Sequence, residues 1–400
     1  MDEEREEQDQ QGFATRAIHA GEVPREAERP VAPPIWLTAH YGYDSLEHYA
    51  DLINERRPGY VYGRYGSPTH TALHDVLASL DGAEAAWSFA SGMAAMHTVL
   101  TALVESGEHV VSQKTVYGGT FALLAQVFPR YGIEATFVDP EPDAVAAALR
   151  DDTAFVGIEP LANPTFRVTD VRRIAGVCAG RGVPLVVDNS VASPYLLRPL
   201  TIPGVTLVVH STSKYIAGHA DVIGGSVAGP LALVDRVRHM AIEQGTTAGA
   251  FDAWLVLRGV QTLSLRMERQ CANAMAVAEA LAGHPKVSEV GYCGLSSHPD
   301  HALASALFER GLYGATLSFS LRDGYEAASR WAKSLRVAVV GSSFGGLWTE
   351  VTHPGSTSHR QLSPEEREAA GIGDGLIRVA VGAEDPGDLV RDFVRALEDA

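Results

Sequence analysis

Lys214 lies where a reactive amine is expected, directly after an apolar run and three hydroxyl residues. The run Leu207–His210 precedes Ser211, Thr212 and Ser213. A lone lysine at such a position is commonly a solvated side chain, but neighbouring hydroxyls suit an anion. An amine that is buried near such groups loses its proton and becomes a nucleophile. The segment therefore predicts either an exposed lysine or a covalent catalyst beside an anion site.

A second reactive position is Asp188, which follows the apolar run Leu185-Val186-Val187. A carboxylate directly after a buried strand is costly unless it has a partner. The partner could be a helix cap, a buried salt bridge or a positively charged nitrogen of a ligand. An Asp after one strand and a Lys after the next is the arrangement that pyridoxal phosphate chemistry uses. There the lysine carries the cofactor and the carboxylate keeps its pyridine nitrogen protonated.

A third segment, Ser91-Gly92-Met93-Ala94-Ala95, joins an apolar run to an Ala-rich helical stretch. Free amides at a helix N-terminus bind phosphate, and Gly92 would allow the anion to approach closely. A serine N-cap is also an ordinary helix start, so this segment alone is weak support for a phosphate site. It matches neither a P-loop nor a G-x-G-x-x-G motif, which argues against ATP and NAD.

The elements around these segments alternate between strand-like and helix-like patterns from about residue 70 to 230. Runs that are apolar on both faces are typical of buried parallel strands, and such alternation predicts a doubly wound α/β sheet. Ligands in such sheets bind beyond the carboxyl ends of the strands, where the three segments lie. The predicted strands are 85–90, 109–113, 135–139, 154–159, 184–189, 207–210 and 222–228. The predicted helices between them are 92–104, 118–131, 143–150 and 171–181.

The rest of the chain has a different organisation. Residues 1–11 carry six acidic residues and predict a solvated tail, and 12–60 have no sustained period and predict an arm that packs on something else. A helical stretch over 251–281 is followed by mixed strands and helices, which indicate a smaller α+β domain. Its predicted strands are 315–321, 337–340 and 376–381, and its predicted helices are 325–335 and 386–397. We expect three parts: tail and arm 1–60, an α/β domain 61–257 and a C-terminal domain 258–400.

Composition excludes several classes of protein. The 400 residues are 46% hydrophobic and 20% charged, an ordinary globular mix. A net charge of −17 without a basic cluster argues against nucleic acid and anionic membranes as partners, and no apolar run reaches the length of a membrane span. The three cysteines are widely spaced, and the first residues have the wrong charge for a secretory peptide, so we expect a reducing cytoplasm. The histidines, including the closely spaced His298 and His301, form no ligand pattern, so no metal is expected.

From about residue 12 to 397 the chain resembles the cystathionine/methionine γ-lyase and cystathionine γ-synthase family, which is the Cys/Met metabolism family of pyridoxal phosphate enzymes. The resemblance is carried by motifs that occur in the family's order. They lie at 62–69, 91–95, 116–120, 159–164, 187–190, 210–215, 218–221 and 375–382. It implies fold type I, which is aspartate aminotransferase-like, with a mostly parallel seven-stranded sheet and a smaller α+β C-terminal domain.

The resemblance implies pyridoxal 5'-phosphate as cofactor and assigns roles to the three segments. Lys214 would hold the cofactor covalently and move protons between substrate carbons, and Asp188 would pair with the pyridine nitrogen. Tyr117 would stack on the ring, a contact worth about 0.5–1.5 kcal/mol beyond burial. Backbone amides of Gly92 and Met93 would bind the phosphate together with hydroxyls. These hydroxyls would come from Ser211 and Ser213.

Further residues are implied to bind the substrate or to come from a second subunit. Arg378 would grip the substrate carboxylate, and Asn163 and Ser343 would lie near the cofactor oxygen and that carboxylate. Tyr62 and Arg64 would reach the phosphate of a neighbouring subunit, so a homotetramer is expected, a dimer of dimers with shared active sites. Without the resemblance, the two tyrosines would be read as core aromatics and Arg378 as a strand-face salt bridge.

Three positions depart from the family's usual pattern. Ser213 replaces the more usual threonine, and Gly119 stands where methionine γ-lyases usually carry cysteine. Relatives often read Ser-Leu-Gly-Gly-x-Glu-Ser/Thr-Leu where this chain reads Ser343-Phe344-Gly345-Gly346-Leu347-Trp348-Thr349-Glu350. Trp348 thus replaces an acidic residue that lines the distal end of the substrate. We hypothesise a more apolar or aromatic distal pocket that is less suited to the second ammonium group of cystathionine.

The resemblance implies a lyase that performs γ-elimination on a sulfur amino acid such as methionine, homocysteine or cystathionine. The products would be a 2-keto acid, ammonia and a thiol. An alternative within the family is γ-replacement on an O-activated homoserine, as in a cystathionine γ-synthase or a sulfhydrylase. An alternative of another class is a pyridoxal phosphate carrier without turnover, which the presence of Lys214, Asp188, Tyr117 and Arg378 disfavours.

Overall fold

The computed structural model describes residues 10–22, 30–360 and 363–400. Most of the predicted acidic tail lies outside these ranges. The larger sheet has seven strands in the order β1-β7-β6-β5-β4-β2-β3. β7 runs antiparallel to β1 and β6, and the other neighbours are parallel, so the predicted mostly parallel α/β sheet is confirmed. The strands are β1 (Ala85–Phe89), β2 (His109–Gln113), β3 (Glu134–Val138), β4 (Thr153–Ile158), β5 (Leu185–Asp188), β6 (Leu207–His210) and β7 (Gly225–Gly229).

The central strands are covered on both faces. Val186, Val187, Val208 and Val209 are at most 1% exposed, as their apolar runs predict for strands between two helical layers. The helices up to this sheet's last strand are α1 (Phe13–His19), α2 (Leu46–Ile53), α3 (Pro68–Asp81), α4 (Gly92–Leu103), α5 (Gly118–Ala122), α6 (Pro142–Ala148), α7 (Val171–Arg181) and α8 (Ser193–Leu196). Two long helices, α9 (Leu231–Gln244) and α10 (Ala250–Val260), follow β7.

A second sheet of five strands forms in the C-terminal part, in the order β10-β11-β12-β9-β8. Trp331, Phe319 and Phe393 form its core, with edge-to-face ring contacts at centroid distances of 5.0 and 5.1 Å. The strands are β8 (Val287–Gly291), β9 (Thr316–Leu321), β10 (Val339–Val340), β11 (Glu350–Thr352) and β12 (Leu376–Ala380). The helices here are α11 (Leu263–Leu281), α12 (His301–Leu307), α13 (Gly324–Ser334), α14 (Pro364–Ala369) and α15 (Pro386–Asp399). The domain boundaries themselves stay a prediction.

Some sequence-based element predictions were wrong. The predicted helix 251–281 is two helices, because the chain breaks at Gln261 and Thr262 between α10 and α11. The segment 12–60 contains two short helices, and α1 buries Phe13 and Ala17 in the core. The predicted strand 337–340 pairs over two residues only, Val339 and Val340. Periodicity cannot resolve elements this short.

The structure also bears on what composition predicted about the cysteines and about membrane spans. Cys178, Cys271 and Cys293 are free and buried. Burial raises the pKa of these thiols, to about 11 for Cys178 and about 12 for the other two. In the described ranges no helix combines the length and the apolar character that crossing a membrane requires.

Candidate active site

Lys214 follows β6 and points toward the C-terminal part of the chain. Its Nζ donates a hydrogen bond to Ser343 Oγ at 2.7 Å and lies 4.7 Å from the ring centroid of Phe344. Burial lowers the pKa of Lys214, and the positive charge of Arg378 lowers it further, while Glu350 opposes the shift. These shifts make the neutral amine, which is the nucleophilic form, easier to reach than it is for an exposed lysine.

Asp188 is the last residue of β5, and β5 pairs with β6 in parallel so that Asp188 lies opposite Val209. The carboxyl ends of both strands therefore meet at one edge, which places Asp188 and the segment leading to Lys214 on the same side of the sheet. Ser190 donates to Asp188 Oδ1 from its amide at 3.0 Å and from its hydroxyl at 2.6 Å. The same hydroxyl accepts from the amide of Ser211 at 2.6 Å and so connects the two strand ends.

Burial raises the pKa of Asp188, whereas the bonds from Ser190 and the charge of His210 lower it. His210 is fully buried, and its Nε2 lies 3.0 Å from Asp81 Oδ2. Burial lowers the pKa of His210, but the carboxylates of Asp81 and Asp188 outweigh burial, and the net shift is upward. A cationic partner for Asp188, such as a protonated ring nitrogen, would offset its desolvation.

The N-terminus of α4 lies beside this edge. Ser91 caps the helix by accepting from the amide of Ala94 at 3.0 Å. A Cβ on Gly92 would come within 2.8 Å of Ser211 Cβ, so only glycine fits where the helix start and Ser211 meet. Ser213 Oγ accepts from the amide of Gly224 at 2.9 Å, so this hydroxyl already has a partner in the chain. The structure thus brings Gly92 and Ser211 together, as the phosphate-site prediction requires.

Tyr117 and Met93 meet at Gly119. A Cβ on Gly119 would lie 2.6 Å from both Met93 Sδ and Tyr117 Cε1, which explains why a larger side chain is absent there. Tyr117 is 52% exposed, so about half of its surface is open to solvent. The amide of Tyr117 donates to Glu159 Oε1 at 2.6 Å.

Arg378 lies on β12 and is only 4% exposed. Its Nη2 donates to the carbonyl of Ser343 at 2.9 Å, and its buried Nε has no hydrogen-bond partner within the described residues. Burial lowers the pKa of Arg378. The buried Oδ1 of Asn163 likewise lacks a partner among the described residues. An unsatisfied guanidinium N–H beside Lys214 suits the carboxylate of a small substrate.

The remaining predicted site residues lie elsewhere in the single chain. Arg64 stacks at 5.8 Å from the ring centroid of Tyr62, and Tyr62 is 44% exposed. Neither has a hydrogen bond or ring contact with Lys214 among the described residues, so their predicted role in a neighbouring subunit stays a prediction. Trp348 is 53% exposed, so about half of its surface is open to solvent.

Sequence reasoning assigned no role to two carboxylates. Glu159 follows β4, is 4% exposed, and accepts a hydrogen bond from the amide of Tyr117. Burial, together with the nearby charge of Asp188, raises the pKa of Glu159 well above its usual value. The signal that singled out Asp188, an acid directly after a buried strand, applies equally to Glu159. The second carboxylate, Glu350, lies on β11 and accepts from the amide of Ser343 at 3.0 Å.

A lysine and a carboxylate at the carboxyl edge of a parallel sheet, beside a helix N-terminus, are typical of the enzymes that use pyridoxal phosphate. The sequence model of one such family, the Cys/Met metabolism PLP-dependent enzymes, matches residues 14–398. The chain belongs to this family.

Named relatives have two related activities. The chain is 38% identical to an L-methionine gamma-lyase of Treponema denticola over 399 residues, which covers 98% of each protein. It is 39% identical to a cystathionine gamma-synthase of Mycobacterium bovis over 388 residues, 96% of this chain and 97% of that one. The crystal structure of metB from Corynebacterium glutamicum superposes with a TM-score of 0.91 at 36% identity, covering 98% of this chain and 99% of that one.

The family's cofactor is pyridoxal phosphate, and the residues present fit it. The amides at the start of α4, left open by Gly92, suit a phosphate, while Asp188 is half-buried without a cation at hydrogen-bond distance in the described residues. Within the same ranges, no cluster of three or more His, Cys, Asp or Glu side chains is placed to hold a metal ion.

Proposed function

We propose that the chain catalyses γ-elimination on a sulfur-containing amino acid such as methionine, homocysteine or cystathionine, giving a 2-keto acid, ammonia and a thiol. The observation that carries this proposal is that Lys214 and Arg378 both donate hydrogen bonds to Ser343. The amine contacts the hydroxyl at 2.7 Å and the guanidinium contacts the carbonyl at 2.9 Å. A base and a carboxylate anchor are thereby held within the length of one amino acid.

The bound cofactor supplies an electron sink for the charge that develops on the substrate's α-carbon. Lys214 would hold the cofactor and would move protons to and from the substrate carbons. Asp188 would pair with the ring nitrogen, and Tyr117 would cover one face of the ring. Arg378 would bind the substrate carboxylate through the N–H groups that Ser343 leaves free, and Asn163 would lie beside it. Gly92, Met93, Ser211 and Ser213 would hold the phosphate.

A product assay tests the reaction type. Purified protein loaded with pyridoxal phosphate is incubated with L-methionine, homocysteine or cystathionine and no other nucleophile. We expect 2-ketobutyrate, ammonia and free thiol from at least one of them, with the Lys214→Ala variant as the blank. Product formation only from an O-acylated homoserine, with incorporation of an added thiol at Cγ, would instead establish the alternative, γ-replacement. The Mycobacterium bovis relative named as a cystathionine gamma-synthase supports that alternative.

Trp348 offers a prediction on specificity. The indole presents an apolar surface where relatives often have an acid, so a second ammonium group on the substrate lacks a counter-charge. Trp348→Glu is expected to raise kcat/KM for cystathionine relative to methionine by roughly tenfold, the value of one exposed charge-assisted contact. The ratio of the two kcat/KM values measures this, with Trp348→Gln as the uncharged control. An unchanged ratio in the Glu variant would contradict the hypothesis.

We further propose that the active form is a cytoplasmic homotetramer, a dimer of dimers in which Tyr62 and Arg64 complete the phosphate site of a neighbour. Support comes from the 44% exposure of Tyr62 and from the lack of any hydrogen bond or ring contact between these two residues and Lys214 among the described residues. Residues 61–257 and 258–400 form the cofactor-binding and C-terminal domains of each subunit, with 1–60 as tail and arm.

A further inference from the structure

Ser343 is contacted by three ionisable side chains from separate parts of the chain. Lys214 Nζ reaches its hydroxyl, Arg378 Nη2 its carbonyl at 2.9 Å, and Glu350 Oε2 its amide at 3.0 Å. Every polar group of Ser343 is therefore engaged. Two of the three side chains already have proposed roles, whereas Glu350 has none.

The register of the second sheet explains how Glu350 reaches this point. β11 and β12 pair antiparallel, with Glu350 opposite Ala380 and Thr352 opposite Arg378. Residues two apart on a strand share a face, so Glu350 and Arg378 lie diagonally on one face of the sheet. Diagonal neighbours are within reach of long side chains, and the loop that contains Ser343 lies between them.

The same loop encloses the carboxylate. A Cβ on Gly341 would come within 2.1 Å of Glu350 Oε2, so the backbone at Gly341 passes directly over the carboxylate. The resemblance described above implies leucine at the position of Glu350 and an acid at the position of Trp348. This chain has its acid at 350 instead, on the face of the sheet that it shares with Arg378.

The charges around this carboxylate are mostly positive. Glu350 opposes the downward pKa shifts of both Lys214 and Arg378. Among the described residues, the other ionisable groups that act on this cluster are Tyr215, which raises the pKa of Arg378, and His359, whose pKa burial and Arg378 lower. Glu350 is the one carboxylate among these groups. Its negative charge stabilises the positive charges of Lys214 and Arg378, which burial would otherwise disfavour.

We propose that Glu350 is a positioning residue: its carboxylate fixes Ser343 so that the hydroxyl faces Lys214, and it brings a negative charge to the residue that both Lys214 and Arg378 contact. The proposal rests on the proposed function, because it takes Lys214 to be the lysine that carries the cofactor. It adds an acid at 350 that works through Ser343 and does not touch the substrate.

Two substitutions separate charge from hydrogen bonding. Glu350→Gln keeps an oxygen that accepts from the Ser343 amide but removes the charge. Glu350→Leu removes both. The primary readout is a pH titration of the visible absorbance of the loaded enzyme, which reports protonation of the lysine nitrogen without turnover. Loss of a nearby negative charge disfavours the cationic form, so the midpoint is expected to shift to lower pH in both variants.

Steady-state kinetics give the second readout. In Glu350→Gln the KM of the amino-acid substrate is expected not to rise, because Ser343 stays fixed and the field at Arg378 becomes more positive. In Glu350→Leu the KM is expected to rise by roughly tenfold, since the backbone of Ser343 loses a charge-assisted bond. Glu384→Gln is the matched control: Glu384 accepts from the amide of neighbouring Thr349 at 2.6 Å but does not act on Lys214, so its midpoint should equal that of the unsubstituted enzyme.

The outcomes distinguish this proposal from the proposed function. A visible band with an unshifted midpoint in Glu350→Gln overturns the charge role, and an unchanged KM in Glu350→Leu overturns the positioning role. Absence of any visible band in the unsubstituted enzyme overturns the proposed function itself. Circular dichroism and thermal melts show whether each variant is folded. If Glu350→Leu does not fold, the midpoint of Glu350→Gln alone decides the charge role.

Discussion

Replacing Lys214 with alanine is expected to lower kcat by about 10³-fold or more, because one side chain supplies both the covalent link to the cofactor and the proton transfers. The structure shows no second amine near Ser343 within the described residues, so another lysine cannot take over. The variant is measured with the substrate that gives the highest turnover in the product assay. Its absorbance after incubation with pyridoxal phosphate and dialysis is the second measurement, and we expect no band from a protein-bound imine.

Lys114→Ala is the matched control for this substitution. Lys114 also follows a strand of the larger sheet, but its Nζ pairs with Asp139 at 2.5 Å and its side chain is 51% exposed. It should retain both the turnover and the visible band. Full turnover in Lys214→Ala, or a band that survives dialysis, would show that the cofactor is attached elsewhere.

The second large effect is expected at Asp188. Asp188→Asn keeps an oxygen that accepts from Ser190 but cannot hold a cationic ring nitrogen. Loss of one partner of a buried charge pair costs about 3–5 kcal/mol, which corresponds to roughly 10²- to 10³-fold or more in kcat. The kinetics of Asp139→Asn, at a carboxylate that is 58% exposed, provide the comparison and should match the unsubstituted enzyme.

The same substitution has an opposite effect on the protein without cofactor. Burial raises the pKa of Asp188, so the folded state disfavours the charged carboxylate. A group with a raised acid pKa loses stability as the pH rises above its unfolded value, and a neutral amide avoids that loss. At pH 7 the melting temperature of the cofactor-free Asp188→Asn protein should therefore equal or exceed that of the unsubstituted one. A fall in this temperature, with turnover unchanged, would mean that Asp188 is structural only.

From the sequence, the site could be predicted only where a polar residue directly follows an apolar strand-like run. Lys214 and Asp188 follow long apolar runs, and parallel strands bring the ends of such runs to one edge. Arg378 and Ser343 became candidates through the family resemblance alone, because their approach to Lys214 depends on how the second sheet packs. Glu350 could not be predicted as a neighbour of Lys214 for the same reason.

Element predictions failed where a boundary lacks a chemical signal. Gln261 and Thr262 separate two helices, and the nearest glycine, Gly259, lies inside α10 and not at the break, so the sequence does not mark the boundary. β8 and β11 are short strands that depend on pairing with β9 and β12, and neither has a run long enough to stand out. In contrast, the predicted helix 171–181 is confirmed, and Gly182 ends it in a left-handed conformation.

The buried cysteines have a consequence for an enzyme whose proposed product is a thiol. Exchange with disulfides and alkylation both need a thiolate, and deep burial keeps all three sulfurs protonated and out of reach. Released thiol and its oxidised dimer therefore find no sulfur on the described chain to form mixed disulfides with. The enzyme is therefore expected to resist modification by its proposed thiol product and by the disulfide of that product.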